Sequence, residues 1–471
     1  MPYLQSILNI AGGVAAVFLL FFLAIMIHEF GHFIVAKLLG FKIDAFSIFF
    51  GPALWRRRRG DVEYRIGCIP LGGYVALPQL DPSSMNVIQG ENGEGAKEIP
   101  PVPPLRRIAV AFAGPFGNIA LAIVLSLAIF AFAPKSEFGG EGNVVGKVEG
   151  ARAELSGIRP GDEITSIAGQ PVSFWSEIVV ESHLAGNDGA GLPVTVRRGG
   201  ETLDLLLPVV KDASSGFMRL DGITPLLACE IGDIVPGMPA SGTSLRKGDT
   251  VLAINGRHPA GPADAEELVR QSGTNIVTLT VSRDGSPEPL AIAVTPAFSE
   301  ELGRHAIGVV FQDPAAAIPQ WMTYRNPLRQ LAGDANSIFR MLRALFAPKV
   351  KGEQRRAASG MGGPGTLLFL LWNEVHCGLF RAMAFLRFLC INLAILNLLP
   401  LPVLDGGHIL FALAEIVTRR RPSPKFIDAV TTFFAVLLIG LMALLLFRDV
   451  VRISKFVRRA APQAEEEVRN D

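Results

Sequence analysis

The segment His28-Glu29-Phe30-Gly31-His32 sets two imidazoles four residues apart, with a carboxylate beside the first. On a helix, residues i and i+4 share a face at about 6 Å, so both rings can bind one metal ion. Zinc suits such ligands and lowers the pKa of its bound water toward about 7, and Glu29 is placed to take that proton. The chemistry implied is hydrolysis by a hydroxide generated at neutral pH.

A catalytic zinc of this kind takes three protein ligands and leaves one position open. The third must come from elsewhere in the chain. In "NLLPLPVLDGGH", residues 397–408, Asp405 completes a His2Asp set, His408 competes with it, and His376 is a more distant candidate. Pro400 and Pro402 break a helix there, which at membrane depth is tolerated only beside a polar cavity. Gly406 and Gly407 allow a tight turn and a close backbone approach.

The elements that must position these residues are apolar. Hydrophobic residues make up 49% of 471, with a mean hydropathy of +0.37. Residues 1–27, 108–134, 388–404 and 429–447 carry no charged side chain, giving four candidate spans. Within such a span an ionisable group costs about 2–3 kcal/mol or more unless paired, which turns His28 and Glu29 into functional candidates. The first span lacks a basic leader and an A-x-A cleavage site, so it is expected to be retained. A net charge of +1 offers no field for nucleic acid. Cys68, Cys229, Cys377 and Cys390 show no CxxC spacing and read as small buried side chains.

Lys and Arg cluster in residues 41–107 and again at Arg419, Arg420, Arg421 and Lys425, which places both loops on the cytoplasmic side. Spans one and three then run in the same direction, and Asp405 falls at about the depth of His28 and His32. The basic tail from Arg448 fits this topology poorly and reads as an amphipathic surface helix.

Between spans two and three lies a repeat. Val148, Gly150, Ala153, Gly161, Asp162, Ile164, Ile167 and Gly169 recur as Val235, Gly237, Ala240, Gly248, Asp249, Val251, Ile254 and Gly256. The stretches "RPGDEITSIAGQPV" and "RKGDTVLAINGRHP" resemble the core of PDZ domains, which bind extended chain ends by strand addition. Neither copy shows an obvious carboxylate-binding loop, so capture of peptide carboxyl ends and simple steric bulk both stay open. Residues 46–77 alternate at "VEYRI" and turn at "PLGGY", which predicts β structure between spans one and two.

HExxH in the first span together with N-x-x-P-x-x-x-L-D-G in a late one resembles the site-2 protease family of intramembrane metalloproteases. Tandem PDZ-like modules are similar to its bacterial regulator-of-sigma-E protease branch. The resemblance implies one zinc per chain on His28, His32 and Asp405, with Glu29 as catalytic acid/base. It implies substrate binding by Asn397 and Asn392, and an edge strand offered to substrate by the first loop, for which Gly72, Gly73 and Tyr74 are the candidates. "AGPFGN", Ala113–Asn118, matches a family motif, and its residues read as helix packing. "KGEQRRAASGMGGPGT", residues 351–366, departs from the family's shorter Ser-Gly-Pro turn.

The expected fold is a polytopic α-helical membrane protein with about four transmembrane helices, two inserted PDZ-like α/β domains and a membrane-associated β-hairpin region. The expected boundaries are span one with HExxH at 1–40, the β region at 41–104 and span two at 105–134. PDZ-like domains follow at 137–212 and 222–297, then a linker with an interfacial amphipathic helix at 298–386. Span three with the LDG motif covers 387–424, span four 425–448 and a charged tail 449–471. By resemblance the chain sits in a bacterial inner membrane, with its PDZ-like pair outside and its active site toward the cytoplasm. It cuts transmembrane or signal-peptide-like proteins; the rival expectation is a non-catalytic PDZ scaffold.

Overall fold

The computed structural model describes residues 2–80, 102–134, 142–186, 191–212, 217–283, 286, 288–299, 303–312 and 320–469. They divide into two compact units, Met1–Lys135 with Tyr324–Leu342 and Met361–Asp471, and Ser136–Thr323 with Arg343–Gly360. Among the described residues four helices are long and apolar enough to cross a membrane, over Ala11–Leu38, Pro104–Phe132, Leu379–Asn397 and Lys425–Val451.

The chain opens with α1 (Pro2–Leu38), β1 (Ala45–Arg59), β2 (Val62–Ala76) and α2 (Pro104–Phe132). α1 is apolar around its whole circumference, as a helix in lipid must be. It packs on α2 through glycine: a Cβ on Gly117 would stand 2.7 Å from the carbonyl oxygen of Ile27, and one on Gly31 would meet that of Ala113. Residues 45–48 of β1 pair with 63–66 on one side and with Gly73–Ala76 on the other. The turn that doubles the chain back holds Gly72 at φ +134°, where a side chain would also strike the ring of Phe50. Gly73–Ala76 is therefore an edge strand. Phe46 and Val75 hold this sheet to the membrane helices by packing with Phe33 and Val110.

In the second unit the first copy of the repeat comprises β3 (Val145–Val148), α3 (Ala151–Leu155), β4 (Glu163–Ile167), β5 (Gln170–Pro171), α4 (Trp175–Ala185), β6 (Gly191–Arg198), β7 (Glu201–Lys211), β8 (Met218–Leu220) and β9 (Ile223–Pro225). The second copy comprises β10 (Cys229–Ile234), β11 (Thr250–Ile254), α5 (Pro262–Ser272), β12 (Val277–Ser282), β13 (Leu290–Val294), β14 (Ala297–Ser299), β15 (Arg304–Ala306) and β16 (Val309–Phe311). Leu192, Val194 and Val196 point inward while their neighbours face out, and Val277, Leu279 and Val281 do the same, so period-2 patterning sets both cores. The repeated Gly-Asp is structural. Asp162 receives two 2.7 Å bonds from Arg198, and Asp249 receives two from Arg283 at the same distance. Each aspartate also accepts a backbone N–H at 2.8 Å, from Arg159 and Arg246 respectively, which closes the turn. β3 pairs with β9 and β10 with β16, so each copy closes on a strand beyond residues 212 and 297. Strands of three residues carry too little alternation to be read from sequence.

The chain continues as α6 (Pro327–Phe346), α7 (Glu353–Gly360), α8 (Pro364–Cys377), α9 (Leu379–Asn397), α10 (Asp405–Thr418) and α11 (Pro424–Arg469). α6 is amphipathic as expected, but two of its polar residues, Gln330 and Asp334, are buried in protein. Arg387 of α9 is fully buried, donating to Asp334 at 2.7 Å and to Gln330 at 2.6 Å. The Gly-rich departure at 362–366 also has a partner. Asp449 of α11 accepts the Gly363 and Thr366 amides at 3.1 and 2.9 Å and the Thr366 hydroxyl at 2.6 Å, capping α8 from another helix. A Cβ on Gly363 would stand 2.6 Å from that carboxylate. α11 runs on without a break to Arg469, past the expected start of the tail at residue 449.

Candidate metal centre

Three elements bring the donors together. His28 and His32 lie one turn apart near the end of α1, both buried. Asp405 is the first residue of α10, after the chain leaves α9 at Asn397 and folds back through Pro400 and Pro402. That fold-back explains the glycines: a Cβ on Gly407 would lie 2.5 Å from Cα of Pro402, and one on Gly406 would meet the carbonyls of Leu398 and Leu399.

Nε2 of His28 is 3.2 Å from Oδ2 of Asp405, Nε2 of His32 is 3.3 Å from Oδ1, and the two Nε2 atoms are 3.3 Å apart. Ligands at about 2.0–2.1 Å from a tetrahedral zinc stand about 3.3 Å from one another, so the triangle has the right edge. Two further observations fit an ion at this place. Oδ2 of Asp405 is buried without a hydrogen-bond partner. A Cβ on Gly114 would lie 2.8 Å from Cε1 of His28 and closer still to Nε2 of His32, so the α2 side of the triangle is kept clear. Among the described residues these three are the ones grouped closely enough to hold a metal. His408 is half-buried further along α10, and His376 is exposed on α8 with Nδ1 donating to the Trp372 carbonyl.

The far nitrogens are held as well. Nδ1 of His32 donates to the Val110 carbonyl at 2.7 Å, leaving the Nε2 lone pair for a metal. Nδ1 of His28 faces the amide of buried Asn118 at 3.4 Å, and the Oδ1 of that amide has no partner. Because amide orientation follows the hydrogen-bond network, turning it lets Oδ1 accept the His28 Nδ1–H and frees Nε2. The close packing read from "AGPFGN" is seen at both Gly114 and Gly117, and Gly114 and Asn118 also adjoin the candidate metal ligands. An amide in an otherwise apolar span was the available signal.

Glu29 is half-buried beside the triangle, and the backbone amide of Val75 hydrogen-bonds its carboxylate. A Cβ on Gly73 would touch its Cγ at 3.7 Å, so the edge strand of β2 passes against this carboxylate. Tyr74, the next residue of the strand, is buried, its ring stacked on Phe50 and its hydroxyl 3.5 Å from Arg65 Nη1. The amide of Asn397 lies 3.5 Å from Nε2 of His28. Asn392 is half-buried earlier on α9.

Residues 16–441 match peptidase family M50. The chain belongs to that family. It is 30% identical over 448 residues to a putative zinc metalloprotease of Neisseria meningitidis, covering 91% of this chain and 96% of the relative. It is 28% identical over 459 residues to the regulator of sigma-E protease of Escherichia coli, covering 91% and 96%. A putative zinc metalloprotease of Treponema pallidum matches at 27% over 423 residues, 86% and 91% of the two chains. As an M50 member this protein is a zinc metalloprotease with apolar helices long enough to span a membrane.

Proposed function

We propose that this M50 protease cuts peptide bonds inside the membrane, with one zinc per chain held by His28, His32 and Asp405. The observation that carries the reading is the donor triangle of 3.2–3.3 Å edges, two of whose corners belong to an apolar helix of spanning length. A bound zinc supplies an acidified water and a Lewis acid for the scissile carbonyl. Glu29 takes the water proton and delivers it to the leaving amine, and the Val75 amide aims its carboxylate. Asn397, next to His28, is the group placed to hold the substrate carbonyl oxygen.

A helical peptide bond is shielded by its own hydrogen bonds, so a transmembrane substrate must be unwound before attack. The edge Gly73–Ala76 supports a route: an opened segment adds as a further strand, about 4.8 Å away, and exchanges its helical bonds for sheet bonds beside Glu29. In this reading Gly72, Gly73 and Tyr74 shape the edge and Asn392 lies further along the path. The two repeats are PDZ-like domains on the outer face of a bacterial inner membrane. They screen substrates by bulk or by a newly made carboxyl end.

The test is cleavage of tagged transmembrane substrates by the purified chain, with bound zinc measured in parallel. Glu29→Gln is expected to keep zinc and lose cleavage by at least about a hundredfold, and Asp405→Asn to lose zinc. Cleavage by Glu29→Gln at the native rate overturns the mechanism. A zinc-loaded native chain that cuts none of a range of substrates points to a scaffold.

A further inference from the structure

The outer arm of the β1–β2 hairpin does not belong to the metal centre. Residues 51–61 are exposed along their whole length, in a ribbon where 53–59 pairs with 62–67. A two-stranded ribbon with no packed face is marginal in water at best. This one presents Leu54 at 75% and Trp55 at 48% exposure, followed directly by Arg56, Arg57, Arg58 and Arg59. Among the described residues none of the four arginines makes an ion pair; Glu63, opposite Arg58, is engaged by Arg65 at 2.9 Å. Arg56 stands directly across from Arg65, whose charge Glu63 already engages.

β1 begins at Ala45, shortly after the first span ends at Leu38, so the arm is tethered at a membrane surface. At about 3.3 Å per residue its seven-residue strand reaches about 20 Å. We propose that this arm lies on the bilayer surface adjoining Leu38 and binds anionic phospholipid headgroups, with Arg56–Arg59 on phosphates and Leu54 and Trp55 at the headgroup–acyl boundary. Guanidinium binds phosphate bidentately, and tryptophan favours that boundary. The apolar pair beside the arginines selects a bilayer over nucleic acid or an acidic protein, neither of which offers an acyl layer. The inference is independent of how the metal centre works. Its consequence is positional, since the same sheet carries the edge Gly73–Ala76 beside Glu29.

The experiment uses the full chain in nanodiscs of phosphatidylcholine alone and of phosphatidylcholine with phosphatidylglycerol, reading amide hydrogen exchange across residues 51–67. Near an anionic leaflet each arginine contributes a factor of about five in binding. Exchange in the arm is expected to slow about tenfold or more in the anionic discs, to recover in high salt, and to be accompanied by quenching of Trp55 by brominated acyl chains. Changing Arg56, Arg57, Arg58 and Arg59 together to Gln is expected to abolish the slowing while the spans keep their protection. Equal exchange in the two kinds of disc overturns the proposal, as does slowing that survives the Gln changes. Protection by added RNA or polyglutamate in detergent, without protection by anionic discs, also overturns it. If the Gln variant does not insert, the native chain's response to lipid charge and salt decides.

Discussion

Asn118 and His28, 90 residues apart in the chain, meet at 3.4 Å with both side chains buried. Replacing Asn118 with Leu keeps the branched shape but removes the acceptor that fixes the His28 proton on Nδ1. Zinc affinity is expected to fall about 10–100-fold, read by competition with a chromogenic chelator. Asn118→Asp restores an acceptor and is expected to recover part of that loss. Native affinity in Asn118→Leu would show that the amide serves packing alone.

Gly114 tests the space beside the ligands. Gly114→Ala places a methyl carbon 2.8 Å from His28 Cε1 and drives it into His32. The variant is expected to insert and fold yet to retain less zinc by elemental analysis than native protein. Gly12→Ala is the control, because nothing lies within 4 Å of its added carbon.

The pair Asp334–Arg387 is expected to behave as a buried ion pair. Asp334→Ala leaves a fully buried guanidinium without its 2.7 Å partner, at a cost of about 3–5 kcal/mol. The double change Asp334→Leu with Arg387→Met is expected to recover most of that loss, because it removes both charges. Thermal unfolding in detergent of the two variants and the native chain separates these outcomes.

In the second repeat, the hydrogen bonds from Arg283 hold the Asp249 carboxyl below its ordinary pKa. A carboxyl whose folded pKa is depressed contributes stability above its unfolded pKa of about 3.9 and loses it as pH falls toward the folded value. Asp249→Asn is expected to lower the unfolding temperature of this repeat by roughly 5–10 °C near neutral pH, with the gap to native closing below about pH 4. A gap that stays constant from pH 7 to pH 3, on the order of the neutral value, would remove the carboxylate from the account.

Local signals suffice wherever one helix or strand decides the matter. His28, Glu29 and His32 lie within one turn of α1, and the absence of charge over four stretches marks helices long enough to span a membrane. The recurrence of Gly-Asp exposed the duplication, although the role of each aspartate needed Arg198 and Arg283, which lie 36 and 34 residues further on, beyond a helix. Asp405 is a candidate from sequence because spans expected to run parallel, and a Pro-x-Pro, set a carboxylate at the expected depth; the structure brings it to 3.2 and 3.3 Å from the two imidazoles.

What the sequence by itself determined is therefore local: a candidate metal-ligand face on a helix, the apolar stretches, the doubled β module and the presence of β structure after the first span. Only tertiary structure decided that Asn118 and the Val110 carbonyl hold the imidazoles, that Gly114 clears the metal's side, and that Val75 and Gly73 border Glu29. The same holds for Asp449 capping α8 and for Arg387 pairing with Asp334. The physical reason is range. Periodicity and charge report how a segment meets its solvent, whereas a hydrogen bond or a missing Cβ acquires its meaning from the neighbour that packing brings within 3 or 4 Å, on the order of one contact distance.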